Sequence, residues 1–288
     1  MFLAMIAILV AACSNEPEIE TPVDNNALVP VRVHVDGFNV SQEDFSPTRA
    51  PQDVADYTGV SSITLAFYAS NGTEVYKTTQ SKNDADFGTF SLSLPMGSYT
   101  MVAVAYYNSE ASPLELTSPT VAAYTGTRAY ETFAYTQAVN ITNTNAVDVS
   151  ATLDRVVSQL KVVSTDGKTA DVSNVRMTFS AGGKDFNPST GLTITNTGFA
   201  NTVSNSASVG ATSTSLSFLF LATDEQNIDV TIETLDADGN TLFSKTVTNV
   251  PFKRNRVTKL TGAMYTNTST TGSFQVNTDW LTEENVAF

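Results

Sequence analysis

A single histidine, His34, and a single cysteine, Cys13, bound the side-chain chemistry open to this chain. A Ser-His-Asp arrangement would rest wholly on His34, and no G-x-S-x-G elbow presents a serine to it. No Cys/His spacing suits zinc, and neither a phosphate loop nor a dinucleotide fingerprint occurs. Asp236-Ala237-Asp238-Gly239-Asn240 has the look of a calcium loop, but no glutamate follows at EF-hand spacing. It reads as an Asp-Gly hairpin turn. Carboxylates are scattered, so nothing singles out a pair for glycoside cleavage. Lys253-Arg254-Asn255-Arg256 is one basic knot on an acidic chain. It reads as a docking patch for an acidic partner or as a charged turn, with Val257 and Leu260 resuming the core. The expectation is a non-enzymatic protein without cofactor or metal.

Cys13 closes an apolar run, MFLAMIAILVAAC. A bilayer-spanning helix needs about 20 apolar residues, so the run reads as an export signal. Val10-Ala11-Ala12-Cys13 resembles the bacterial lipobox. That resemblance implies cleavage before Cys13, a lipid on its thiol and attachment to the outer membrane. The alternative is an ordinary export signal with an incidental cysteine. Ser14 to Ala27 is acidic and carries proline, which suits a tether or a surface-export signal.

The elements around these residues are strands. The 288 residues suit two domains, and the net charge of −14 argues against nucleic acid as a partner. Thr and Val are abundant, and both pack well on a pleated surface. In Leu28 to Phe38, Val29, Val31, Val33 and Val35 share one face and Arg32 and His34 the other, which makes a half-buried strand. Ser62 to Ser70 and Thr73 to Thr78 flank Asn71-Gly72, a type I′ hairpin signal. Phe87 to Leu94, Tyr99 to Tyr107, Thr132 to Thr142 and Ala146 to Asp154 complete seven strands, with Tyr99 to Tyr107 the most apolar and central. The second half gives seven more: Val156 to Ser164, Val172 to Ser180, Ser215 to Thr223, Ile228 to Leu235, Leu242 to Val247, Arg256 to Met264 and Ser273 to Trp280. Asp185 to Leu192 reads as a turn. No helix is expected, and each half reads as a sandwich. The divisions are a signal peptide over 1–12, a lipidated tether over 13–27, and sandwiches over 28–154 and 155–288.

Three stretches resemble the fimbrillin superfamily of Bacteroidales, the subunits and anchors of type V pili, and the lipobox agrees with them. They are Phe87 through Ala105, Leu153 through Val162, and Pro251 through Thr258 with Gly262. The likeness is greatest to the minor, anchor-type subunits. The resemblance implies an all-β protein of two transthyretin-like (Greek-key) β-sandwich domains in tandem, partnered by other fimbrial subunits. It also implies maturation by an arginine-directed protease, loss of the first strand, and filling of the groove by a neighbour's strand. On that reading Leu28, Val29, Val31, Val33 and Val35 belong to the removable strand and Arg49 is the cleavage site. Arg128 is a second candidate, but cutting there would split a domain. An anchor would keep strand and lipid. A rival reading is a surface lipoprotein that binds glycans, with Tyr106, Tyr107, Tyr124, Tyr130 and Tyr135 as candidate aromatics.

Overall fold

The computed structural model describes residues 27–39, 53–265 and 274–277. The first half holds β1 (Leu28–Asn39), β2 (Ser62–Ala69), β3 (Glu74–Ser81), β4 (Thr89–Pro95), β5 (Gly97–Tyr106), β6 (Leu114–Ser118), β7 (Val121–Tyr124), β8 (Thr132–Ile141) and β9 (Val147–Arg155). Seven of these form one sheet in the order β3-β2-β5-β8-β9-β1-β4. They are the seven strands expected from the sequence of the first half. β8 meets β9 at only two residue pairs, Phe133↔Arg155 and Ala134↔Asp154. The sheet turns at this corner, and its two leaves close on one core. Val29, Val31, Val33, Val35 and Leu153 come from one leaf, and Ile63, Leu65, Phe67, Met101 and Phe133 from the other. Each fully buried side chain of this size contributes about 1.5–3 kcal/mol.

The second half holds β10 (Ser158–Ser164), β11 (Asn174–Phe179), β12 (Asp185–Phe186), β13 (Phe199–Ser204), β14 (Thr214–Leu219), β15 (Glu225–Leu235), β16 (Thr241–Lys253), β17 (Val257–Gly262) and β18 (Gln275–Asn277). Sheets β14-β10-β17-β18 and β13-β11-β15-β16 face each other. Between them lie Leu160, Val162, Met177, Val230, Ile232 and Phe252. The chain is therefore all-β, built of sandwiches.

A fourth sheet, β12-β7-β6, joins the halves. β12 pairs with β7 through Asp185↔Ala123 and Phe186↔Ala122. This sheet covers the outer face of β2, β5 and β8, where Ala66, Tyr68, Val102, Val104 and Ala134 pack with Leu116, Phe186 and Phe220. β2 and β5 are consequently buried on both faces. The stretch expected as a turn over Asp185 to Leu192 thus opens with a strand, and its turn is confined to Asn187–Thr190, where the Asn187 carbonyl accepts the Thr190 N–H. The β2–β3 hairpin is present, but its turn is not type I′. Gly72 has φ +82°, and Asn71 does not have positive φ. The Asn71 side chain instead accepts the Thr73 N–H at 3.0 Å, and a bulge at Phe67/Tyr68 absorbs the extra residue.

Candidate assembly site

β1 occupies the middle of its leaf. On one side it runs antiparallel to β4, from Leu28↔Pro95 to His34↔Thr89. On the other it runs parallel to β9, from Val31↔Val147 to Asn39↔Asp154, with a bulge between Val35 and Gly37. Val29, Val31, Val33 and Val35 point into the core, while Leu28 is exposed. Arg32 and His34 face outward, as their alternation predicts. The His34 ring meets Thr89 Oγ1 at 3.0 Å and Asp36 at 3.7 Å. Cys13 and Arg49 lie outside the described residues, as does the C-terminal stretch from Thr278.

The end of β1 is fixed by residues that sequence patterning missed. Phe38 packs on Phe133 at 4.7 Å and on Tyr57 at 5.4 Å between ring centres. Beside them the Tyr57 hydroxyl donates to the Glu131 carboxylate. Arg155 Nη2 donates to Tyr57 Oη at 2.9 Å and to Glu131 Oε1 at 2.6 Å. The guanidinium also lies 5.2 Å from the Phe133 ring centre. Burial pushes the Tyr57 hydroxyl far above its ordinary pKa, with Arg155 opposing and Glu131 adding to the rise. Arg155 Nη1 reaches Asn255 Oδ1 at 3.1 Å, so this cluster ties the first leaf to the β16–β17 turn. Isolated charges of this kind have no periodicity, and no sequence signal would have paired them.

The basic knot forms that turn. Lys253 pairs with Glu225 at 2.8 Å and Arg254 with Asp224 at 2.7 Å. Arg254 also donates to the Thr190 carbonyl, and Asn255 takes φ +59° at the apex. Its cations serve neighbouring loops of the same chain, which favours the charged-turn reading. Asp236 accepts the N–H groups of Asp238 and Asn240 and the Asn240 side chain, closing the β15–β16 hairpin. Among the described residues no three His, Cys, Asp or Glu side chains gather as a metal set, and no helix is long and apolar enough to cross a membrane.

Of the five tyrosines, Tyr106 and Tyr124 are buried and only Tyr107 is well exposed. Tyr130 and Tyr135 are half-buried. The geometry of β5 sends Tyr106 under the fourth sheet, which the sequence does not reveal. Arg128 is half-buried in the link from β7 to β8, with its carbonyl held by Ser112 Oγ at 2.6 Å.

The class this geometry defines is an all-β sandwich protein whose first described strand sits between two partners in one leaf of its first sheet. Solved Bacteroides structures share the fold. A candidate adhesin from Bacteroides ovatus matches with a TM-score of 0.53 at 11% identity, over 82% of this chain and 89% of that one. A candidate polysaccharide-binding protein from Bacteroides thetaiotaomicron matches at 0.50 and 12% identity, over 88% and 96%. The fimbrial anchor protein Mfa2 from Porphyromonas gingivalis is matched at 0.48 and 11% identity, over 87% and 95%. The first two matches establish a shared fold, all-β as the fimbrillin resemblance implied. No curated protein sequence matches the chain. The chain belongs to a protein family of unknown function, DUF6562, whose model matches residues 30–287.

Proposed function

We propose that this chain is a non-enzymatic cell-surface subunit of a fimbrial adhesion assembly. A lipid on Cys13 holds it at the outer membrane, and β-strand addition at the β1 groove joins it to other subunits. One observation carries the reading. β1 is the first described strand, yet it is the central rung of its leaf, with backbone partners on both sides and four valines in the core. Its loss would leave facing edges of β4 and β9 unpaired and a row of apolar pockets open. A strand of matching alternation from a neighbour would restore both ladder and core. Arg49 falls between Asn39 and Asp53 in sequence, so cleavage there severs β1 from the rest of the chain without cutting a described strand. A chain that keeps β1 and lipid serves as an anchor, and one that loses them serves as a stalk or tip component.

Intact mass of the protein from outer-membrane fractions, with and without an arginine-specific protease, tests this reading. A protease-resistant, acylated species starting at Cys13 supports the anchor. A species starting at Ala50 within high-mass assemblies supports strand exchange. A soluble, unacylated product beginning elsewhere overturns the proposal.

A further inference from the structure

One corner of the first half is built like a ligand site, and no residue of β1 is part of it. Tyr107, just past the end of β5, is 46% exposed, unusual for a large apolar ring in this chain. Its N–H donates to the Glu131 carbonyl, which sets it beside Tyr130. The two rings lie 5.3 Å apart at 38°. Behind them the Tyr130 ring meets Tyr124 at 5.8 Å, and Tyr124 is fixed by a 2.7 Å hydrogen bond with Thr132. A rigid aromatic column therefore ends in one open ring.

Arg128 sits over the same Tyr130 ring at 5.1 Å. Among the described residues nothing accepts a hydrogen bond from its guanidinium, and its Nε is buried without a partner. The contrast within the chain is plain: Arg155, Arg176 and Arg254 all hold carboxylates. The loop that carries Arg128 is held in place. Ser112 grips the Arg128 carbonyl, and a side chain at Gly126 would collide with the Ala111 carbonyl, so only glycine lets these segments meet. Lys184 Nζ, donating to the Gly126 carbonyl, adds a second cation to the loop. A half-buried guanidinium with open donors selects a planar anion, because its fork matches a carboxylate. An exposed, preorganised aromatic face beside it suits a flat apolar face of the same ligand. Tyr107 and Arg128 are no further apart than their two distances to Tyr130 combined, within the reach of a disaccharide.

We infer that Tyr107, Tyr130 and Arg128 form a binding site for a carboxylate-bearing saccharide. The net charge of −14 repels acids in general, so an acidic sugar held here is held by the local site. The site does not depend on strand exchange, so its failure leaves the assembly reading untouched.

Calorimetric titration of the full chain tests the proposal with two probe pairs, trigalacturonic acid against its methyl ester and 3′-sialyllactose against lactose. The acidic member of at least one pair binds, with its neutral counterpart about tenfold weaker or worse. Arg128→Gln removes that preference, and Tyr107→Ala, at an exposed position, weakens the acidic probe about tenfold. Failure of all four probes to bind overturns the site. So does equal binding of acid and neutral forms, or an acid preference that survives Arg128→Gln. Should Arg128→Gln fail to fold, unchanged binding by Tyr107→Ala alone overturns it.

Discussion

Truncating Val33 tests directly whether β1 carries the core of the first sandwich. Val33 stands opposite Phe90 on β4 and Val149 on β9, and it is fully buried. Val33→Ala removes two methyl groups, at about 0.8 kcal/mol each in transfer energy. The void left between two packed leaves adds about 24 cal/mol for each Å³ that does not collapse. The expected loss is about 2–3 kcal/mol. With a urea dependence near 3 kcal/mol per M, the unfolding midpoint falls by about 0.7–1 M at unchanged slope. Arg32→Ala is the internal control. Arg32 is the adjacent residue on the same strand, but it faces solvent, and its loss changes stability by no more than about 0.5 kcal/mol. Urea titrations followed by near- and far-ultraviolet circular dichroism give both values. Equal midpoints for the two variants would refute the reasoning, because they would mean that β1 does not seat its valines in the core.

Three further outcomes follow from the geometry. Glu131→Gln and Arg155→Met, with their double variant, should show a coupling of about 1–3 kcal/mol in chemical unfolding, since each group is under 20% exposed and answers the other; a coupling near zero would mean the pair is solvated. Burial holds the hydroxyls of Tyr57, Tyr99 and Tyr124 above their ordinary pKa, and it pushes Tyr68 up to about 12, with Glu74 adding to that shift. These raised values stabilise the folded state fully below about pH 10, where unfolded tyrosines begin to ionise, and the stabilisation is lost as pH rises through the folded values. Absorbance at 295 nm should therefore rise in two stages, the second coinciding with unfolding, and a single transition near pH 10 would contradict it. At Asp185 burial acts to raise the carboxyl pKa, but hydrogen bonds from the Thr193 and Thr195 hydroxyls and the Thr195 and Ile194 N–H groups outweigh it and hold the value low. Asp185→Asn should cost about 1–2 kcal/mol at neutral pH. The gap to the parent should close as pH falls below about 4 and through the lowered folded value, and a pH-independent gap would count against the carboxylate's role.

Alternation made the two main cores legible. β1 displays it in pure form, with valines at every second position, because only one face of its leaf is covered. β5 does not, because the fourth sheet covers its other face, and a strand buried on both sides reads as a continuous apolar run. Its interior position was still readable from that run. The fourth sheet itself was not. β7 has four residues and β12 two, and Pro119 interrupts the β6–β7 stretch, so no window was long enough to show a period. β13 was hidden for a different reason: between its inward Phe199 and Val203 stands Asn201, fully buried and bonded to Ser217 Oγ at 2.8 Å, where a pattern search expects an apolar side chain. The charged cluster of Tyr57, Glu131 and Arg155 joins positions 98 residues apart, which no local signal encodes. The same holds for the tyrosines, since the sequence offered five as candidates and only the fold decides which ring meets solvent.

The fourth sheet has a consequence for the order in which the chain is made. A polypeptide that leaves the ribosome or a translocon presents β2, β5 and β8 long before Phe186 and Phe220, which help to cover their outer face. Until those residues emerge, Tyr68, Val102 and Val104 lie on a surface with part of its cover missing, and β7 lacks a neighbour along one edge. Such an intermediate is sticky on one face. The second half therefore acts as a delayed lid on the first.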